Sequence, residues 1–148
     1  MNALEYYIAQ GQISDPGKYK NDLPNTLSVH QLCDLINNLI LIDFLDNMKI
    51  IKAPETHKGD INIRNIEEKI DLLFSRNKSE ITQVRKNENK IMGNCRDTSL
   101  LLCTMLREKG VAARVRSGFS TIFSPKKKYD HWLCEYWDFQ KRFYYHFR

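Results

Sequence analysis

The hydrophobic period of the chain changes at Gly110, and this change constrains the fold more than any other feature of the sequence. From Thr98 to Lys109, apolar residues recur every three or four positions, which predicts a helix. From 111 to 117, apolar and polar residues alternate instead, which is typical of a strand. Gly110 itself suits the left-handed position that ends a helix. The sequence therefore predicts a helix that reverses directly into a strand.

The remaining hydrophobic periodicities predict an α+β fold. Helical spacing predicts two earlier helices, over 29–46 and 61–74. Further strands are predicted at 131–137 and 142–147, joined by a turn at 138–141. We expect a single domain over 1–148, with helices packed on a small antiparallel sheet. It divides into an irregular N-terminal arm (1–27), a helical part (28–92), and a cysteine-bearing helix with antiparallel strands (93–148).

Length and composition exclude several classes of protein. The chain has 148 residues, of which 42% are hydrophobic, enough for one core. No apolar run approaches the roughly 20 residues of a membrane helix, and the N-terminus lacks a signal peptide, so a cytoplasmic protein is expected. The net charge of +5 is spread along the chain, and its densest cluster, at 126–128, is interpreted as a solvated turn. Nucleic-acid binding is not expected, because no recognised motif accompanies these lysines.

Among the four cysteines, Cys95 has the surroundings that suggest chemistry. The absence of any C-x-x-C pair argues against a zinc ribbon, and disulfides are not expected without a secretion signal. Cys33 and Cys103 fall among apolar residues of predicted helices, and Cys134 lies in a predicted strand. Cys95 stands where a loop turns into a helix, and there the free N–H groups and the helix dipole favour the nucleophilic thiolate.

His131 is the candidate base for such a nucleophile. It leads a predicted strand that follows the helix of Cys95, and an imidazole within about 3 Å can take the thiol proton. Together, Cys95 and His131 are two members of a Cys/His/acid triad, and the backbone N–H of Cys95 is a natural oxyanion donor. His30 and His57 lie in a helix and a loop, where we expect structural or solvated roles. Asp97 is favourable in the first turn of its helix.

The motifs around these residues resemble the transglutaminase-like superfamily, in its bacterial rather than its animal crosslinking branch. The matching runs are Gly-Asn-Cys-Arg-Asp at 93–97, Gly-Val-Ala-Ala-Arg at 110–114 and Asp-His-Trp at 130–132. The resemblance covers nearly the whole chain. It implies a papain-like α+β core, with Cys95 as nucleophile and His131 as base. It also implies acyl transfer through a thioester and no metal or organic cofactor.

One departure from the family pattern concerns the acid that orients the histidine. Relatives place an aspartate at the end of the strand after the histidine strand, a location that here corresponds to about Phe147. Asp138 is seven positions past His131 and falls on the opposite face of a regular strand. Glu135 shares the face of His131, but four strand residues span roughly 13 Å. The sequence therefore predicts at best a Cys/His dyad in a C-terminally shortened relative.

Two functions follow from this reading. The first is a cysteine-nucleophile enzyme that acts on the amide bonds of a peptide, protein or small amide, by hydrolysis rather than crosslinking. The second is a catalytically degenerate binding or assembly module of the same fold, in which the exposed edge of the final strand makes homo-oligomers. An ion pair of Asp97 with Arg114 or Arg116 is a further expectation.

Overall fold

The computed structural model describes residues 2–121 and 125–138. Its helices are α1 (Ala3–Ile8), α2 (Val29–Leu39), α3 (Asp43–Asn47), α4 (Ile66–Arg76) and α5 (Cys95–Glu108). Its strands are β1 (Ile40–Ile42), β2 (Ile91–Gly93), β3 (Ala113–Ser120) and β4 (Tyr129–Tyr136). Short 3-10 helices lie at Gly17–Asp22, Glu55–Asn62 and Asn87–Asn89. The α+β class is confirmed.

The central element is α5, the helix that the sequence predicts most clearly. Every residue from 97 to 106 is buried, because α1, α2, α4 and three strands all pack against this helix. The helix ends as predicted, with Gly110 in the left-handed region at φ 75°. After this reversal the chain enters β3, which pairs with β4 in an antiparallel ladder from Ala113–Tyr136 to Ser120–Tyr129.

The predicted helix over 29–46 is interrupted by a strand. Ser28 caps α2 as the sequence suggests, since its Oγ accepts the N–H of Gln31 at 3.3 Å. The three apolar residues of β1 then pair in parallel with β2, from Ile40–Ile91 to Ile42–Gly93. A short apolar run fits a helix or a buried strand equally well, so periodicity alone could not reveal this break.

The second predicted helix begins at Ile66 rather than at residue 61. Asn65 fixes this start, because its Oδ1 accepts the N–H of Glu67 at 2.8 Å, and residues 55–62 form a 3-10 helix instead. His57 lies in that 3-10 helix and is buried, not solvated as expected. Its Nε2 lies 3.2 Å from the carbonyl oxygen of Glu88.

The N-terminal arm, expected to be irregular, is partly helical. Asn2 and Glu5 form a reciprocal cap at the start of α1, with hydrogen bonds of 2.8 and 2.9 Å. The predicted third strand at 142–147, and the preceding turn except for Asp138, lie outside the described residues. None of the helices in the described ranges has the length and apolar character needed to cross a membrane.

Candidate active site

The start of α5 is fixed by a reciprocal cap. The side-chain oxygen of Asn94 accepts the backbone N–H of Arg96 at 3.0 Å, and the carboxylate of Asp97 accepts the N–H of Asn94 at 3.0 Å. Each hydrogen bond satisfies a donor that the helix start would otherwise leave without a partner. The helix therefore begins at Cys95 because the residues on both sides of it form the cap.

Asp97 also anchors this helix start to α4 through buried charges. Its Oδ1 accepts hydrogen bonds from Arg96, at 3.1 Å from Nε and 2.8 Å from Nη2. The Nζ of Lys69 lies 3.4 Å from the same oxygen, and the side chains of Lys69 and Asp97 are only 3% and 1% exposed. The expected ion pair of Asp97 with Arg114 or Arg116 is therefore wrong, because nearer cations occupy this carboxylate.

A second buried acid connects the same region to β2. Asp60 forms a two-pronged ion pair with Arg76, at 2.6 and 2.8 Å, and accepts the backbone N–H of Met92 at 2.8 Å. The carbonyl oxygen of Asp60 also accepts the Nζ of Lys69 at 3.2 Å. These links hold β2, α4 and the start of α5 together, which makes the surroundings of Cys95 rigid.

Gly93 is required by the close packing beside this network. A Cβ at residue 93 would lie 3.0 Å from the Cβ of Asp97 and 3.0 Å from the Cγ2 of Ile40. The glycine thus lets β2 pass between β1 and the first turn of α5. Packing and hydrogen bonding now account for Gly93, Asn94, Arg96 and Asp97 in the five-residue motif.

Cys95 is the one residue of that motif without such a structural role. Its side chain is half-buried and its thiol is free. The side chain of Asn94 accepts the N–H of Arg96, and the backbone carbonyl of Asn94 accepts the N–H of Asp97 at 3.0 Å. Among the hydrogen bonds of the described residues, none uses the backbone N–H of Cys95, so this donor is available to a ligand.

His131 lies at the same end of the helix–strand layer as Cys95. Residue 131 pairs with Gly118, five residues along β3 from Ala113, which corresponds to about 17 Å. From Glu108 back to Cys95, the helix rises about 20 Å in the same direction, because the chain reverses at Gly110.

A contact nearer the reversal at Gly110 agrees with that alignment. The Cys103 thiol of α5 is hydrogen-bonded to Cys134 of β4, which pairs with Val115. Both thiols are buried, and this hydrogen bond together with burial raises the pKa of Cys134 well above its ordinary value. These two cysteines are therefore core residues, as expected.

The structure does not join the two candidate catalytic groups directly. Within residues 2–121 and 125–138, no hydrogen bond connects the Cys95 thiol with the His131 ring, which is half-buried. Cys134 is the position of β4 that meets α5, and His131, three residues earlier, points to the opposite face of the strand. The Cys95–His131 pair therefore stays a prediction, supported by their common level along the helix–strand layer.

The acid nearest to His131 along its face is already paired. Glu135 accepts hydrogen bonds from Arg114 at 2.7 Å and Arg116 at 2.8 Å. Burial raises the pKa of Glu135, but the two arginines outweigh this effect and hold the pKa below its ordinary value. Sequence reasoning missed the pairing of Glu135 with these two arginines, although Arg114 and Arg116 are two residues apart in β3 and therefore share a face of the strand. The family location of the orienting acid, near Phe147, lies outside the described residues.

Metal ligation finds no support in the part of the chain that the structure describes. There, no three or more His, Cys, Asp or Glu side chains form a group that could hold an ion. Cys33 is half-buried, and burial together with the charge of Asp34 raises the pKa of its thiol to about 11, so little of it is thiolate near neutral pH.

An α+β core with a capped cysteine at the start of its central helix is the arrangement of papain-like and transglutaminase-like cysteine proteins. The family model of the transglutaminase-like superfamily matches residues 54–147. The chain therefore belongs to the transglutaminase-like superfamily. No curated protein matches it.

A solved structure has the same fold. It is described as a "Putative Cysteine Protease from Cytophaga hutchinsonii", with a TM-score of 0.58 and 14% sequence identity. The match covers 99% of this chain and 42% of the other. The chain thus spans less than half the length of that protein, and at this identity the likeness concerns the fold.

Proposed function

We propose that the protein is a cysteine-dependent acyl-transfer enzyme that hydrolyses amide bonds of a peptide, protein or small amide. The observation that carries this proposal is the state of Cys95. Its four neighbours in the motif cap, anchor or pack the start of α5. The thiol and the backbone N–H of Cys95 take no part in this cap or in these ion pairs. A rigid frame around an uncommitted thiol is what a positioned nucleophile needs.

In the proposed reaction, the Cys95 thiolate attacks the carbonyl carbon of the amide. The oxygen of the tetrahedral intermediate accepts the N–H of Cys95, and the His131 imidazolium gives its proton to the leaving amine. The resulting thioester is attacked by a water molecule, which His131 deprotonates, and the carboxylic acid and the free thiolate are released. Hydrolysis is preferred to crosslinking because the sequence motifs resemble the bacterial rather than the animal crosslinking branch.

Alkylation with iodoacetamide at pH 7, followed by peptide mass spectrometry, tests the nucleophile. We expect Cys95 to react at least about tenfold faster in the folded protein than in urea, where a thiol has its ordinary pKa of about 8.5, and faster than Cys33, the other half-buried thiol of the chain. Cys33 is a matched internal control, since with a pKa of about 11 only about one molecule in ten thousand carries its thiolate at pH 7. Equal rates at the two cysteines would overturn the proposal.

A second candidate function is a binding or assembly module without catalytic activity. The observation that favours it is the commitment of nearby acids, because Glu135 is held by two arginines and Asp97 by Arg96 and Lys69. Neither carboxylate is available to orient an imidazole. This candidate predicts self-association through a strand edge, measured as a concentration-dependent mass by sedimentation, together with slow alkylation of Cys95. A monomer with fast alkylation of Cys95 would exclude it.

A further inference from the structure

The ladder of β3 and β4 has one face in the hydrophobic core and one face outside it. Val115 and Cys134 pair with each other across the ladder and both pack into the core. Because side chains alternate along a strand, the neighbouring positions point to the other side of the ladder. We call that side the outer face and define it by three cross-strand pairs, Arg114–Glu135, Arg116–Leu133 and Gly118–His131.

Helix α1 packs on the first part of the outer face, and the part beyond it is open to solvent. The hydroxyl of Tyr7 accepts a hydrogen bond from Nη1 of Arg114 at 3.3 Å. Further along β3, the side chain of Arg116 is 61% exposed, and Gly118 is exposed as well. A Cβ at residue 118 would meet no atom within 4 Å, so a ligand has room to lie over the strand, directly opposite His131.

This hairpin carries an excess of positive charge. Between residues 113 and 136 there are five lysines and arginines but only two aspartates and glutamates, which gives +3 of the net charge of +5 of the whole chain. On the outer face, Glu135 is shared by Arg114 and Arg116, so one positive charge remains there. The other acid, Asp130, pairs with Phe119 and therefore points to the opposite face. The exposed lysines at 126–128 extend the positive charge beyond the paired strands.

Arg116 can exchange its partner without leaving a buried charge behind. Its Nη1 donates to Oε1 of Glu135 at 2.8 Å, while Nε of Arg114 donates to the other carboxylate oxygen at 2.7 Å. Glu135 therefore keeps one arginine when Arg116 turns to a ligand. An ion pair as exposed as that of Arg116 is weak, whereas a guanidinium binds a carboxylate through two parallel N–H groups, so the exchange is favourable for an acidic ligand.

We propose that the outer face binds an extended acidic peptide, with one carboxylate on Arg116 and further carboxylates towards the lysines at 126–128. This inference rests on the proposed function, because His131 lies on the same face and a peptide bound there presents its amide bonds to that histidine. Alternate side chains of an extended peptide are roughly 7 Å apart, which is also the spacing of residues 114, 116 and 118 along β3. The carboxylates of such a peptide can therefore follow the strand in register.

Fluorescence anisotropy with a matched pair of peptides tests this binding without requiring catalytic turnover. The probes are a fluorescein-labelled peptide of four Glu-Ser repeats and its counterpart of four Gln-Ser repeats, which differ only in their carboxylates. At about 0.05 M salt, where the charges of the surface are weakly screened, we expect the acidic peptide to bind at least about tenfold more tightly. A labelled oligothymidylate of the same net charge is measured in parallel.

Substitutions on the outer face should weaken the binding of the acidic peptide. We expect Arg116→Gln to lower its affinity about threefold, as for one exposed ion pair, and Arg116→Lys to retain most of it. Arg64→Gln is the matched control, because Arg64 is an exposed arginine outside the hairpin and its loss should leave the affinity unchanged.

Gly118→Val tests the position of the peptide independently of charge. Gly118 is not among the residues with positive φ, and a β-branched side chain suits a strand, so circular dichroism should show an unchanged fold. The new side chain fills the open space over residue 118, and we expect it to lower the affinity for the acidic peptide at least about threefold. Unchanged affinity in this variant would refute the location on the outer face.

The remaining outcomes separate this inference from the proposed function. Equal affinities for the two peptides, or an equal loss in Arg116→Gln and Arg64→Gln, overturn the acidic-peptide site even when Cys95 is still more reactive than Cys33. Tighter binding of the oligothymidylate than of the acidic peptide overturns the choice of a peptide as partner. Equal reactivity of Cys95 and Cys33, with the peptide still bound at Arg116, overturns the proposed function and, with it, the assignment of the peptide as a substrate.

Discussion

Replacing Asp97 by asparagine should destabilise the whole domain through the buried charge that it leaves behind. The substitution keeps the size of the side chain, and its amide oxygen can still accept the N–H of Asn94. What it removes is the negative charge beside Lys69, whose side chain is only 3% exposed. Lys69 would then be a buried ammonium with the carbonyl oxygen of Asp60, at 3.2 Å, as its remaining partner.

The expected loss is about 3–5 kcal/mol in the free energy of unfolding, as for other buried pairs from which one partner is removed. Because part of the hydrogen bonding survives in asparagine, we expect the lower end of that range. For a chain of this length, about 3 kcal/mol corresponds to a decrease in Tm of roughly 10 °C.

Urea unfolding followed by circular dichroism measures this loss. The double variant Lys69→Met/Asp97→Asn is the informative comparison, since it removes the unpaired cation as well and should recover part of the lost stability. A loss below about 1 kcal/mol in Asp97→Asn, or a double variant less stable than the single one, would refute the idea that a buried ion pair anchors α5.

Two further predictions concern Gly93 and Glu135. Gly93→Ala should cost about 1–3 kcal/mol in unfolding free energy by urea titration, because its Cβ would lie 3.0 Å from atoms of Asp97 and Ile40; an unchanged midpoint would show that the site has room. Glu135 has a folded-state pKa below its ordinary value of 4.5, so its contribution to stability is complete above that pH and is lost as the pH falls through the folded value. Glu135→Gln should therefore flatten the acid limb of the curve of stability against pH, and an identical limb in both proteins would contradict this.

Local signals in the sequence were sufficient for the C-terminal half of the described fold. The helix after Cys95, its end at Gly110 and the two strands that follow have distinct periods and a distinct stop residue, so they could be predicted. The strand β1 could not, because its three apolar residues continue the helical pattern of α2 and its partner lies some 50 residues away. Parallel pairing depends on contacts that no local pattern encodes.

In the candidate site too, some features could be predicted from the local sequence, whereas others depend on tertiary packing. The identity of Cys95 and its place at a helix start follow from the residues around it, as does the cap formed by Asn94. The anchoring of Asp97 by Lys69 could not be predicted, since a lysine on the charged side of α4 is ordinarily solvated. Its burial arises from the packing of α4 against α5.

The most direct test of the central claim is the rate of Cys95 alkylation in the wild type and in His131→Ala. Iodoacetamide rate constants at Cys95 would be measured between pH 6 and pH 9, with Cys33 followed in the same samples. If His131 supports the Cys95 thiolate, the wild type reacts rapidly at pH 6–7, and His131→Ala lowers that rate at least about tenfold while leaving Cys33 unchanged. Superimposable profiles for Cys95 in the two proteins would contradict the account.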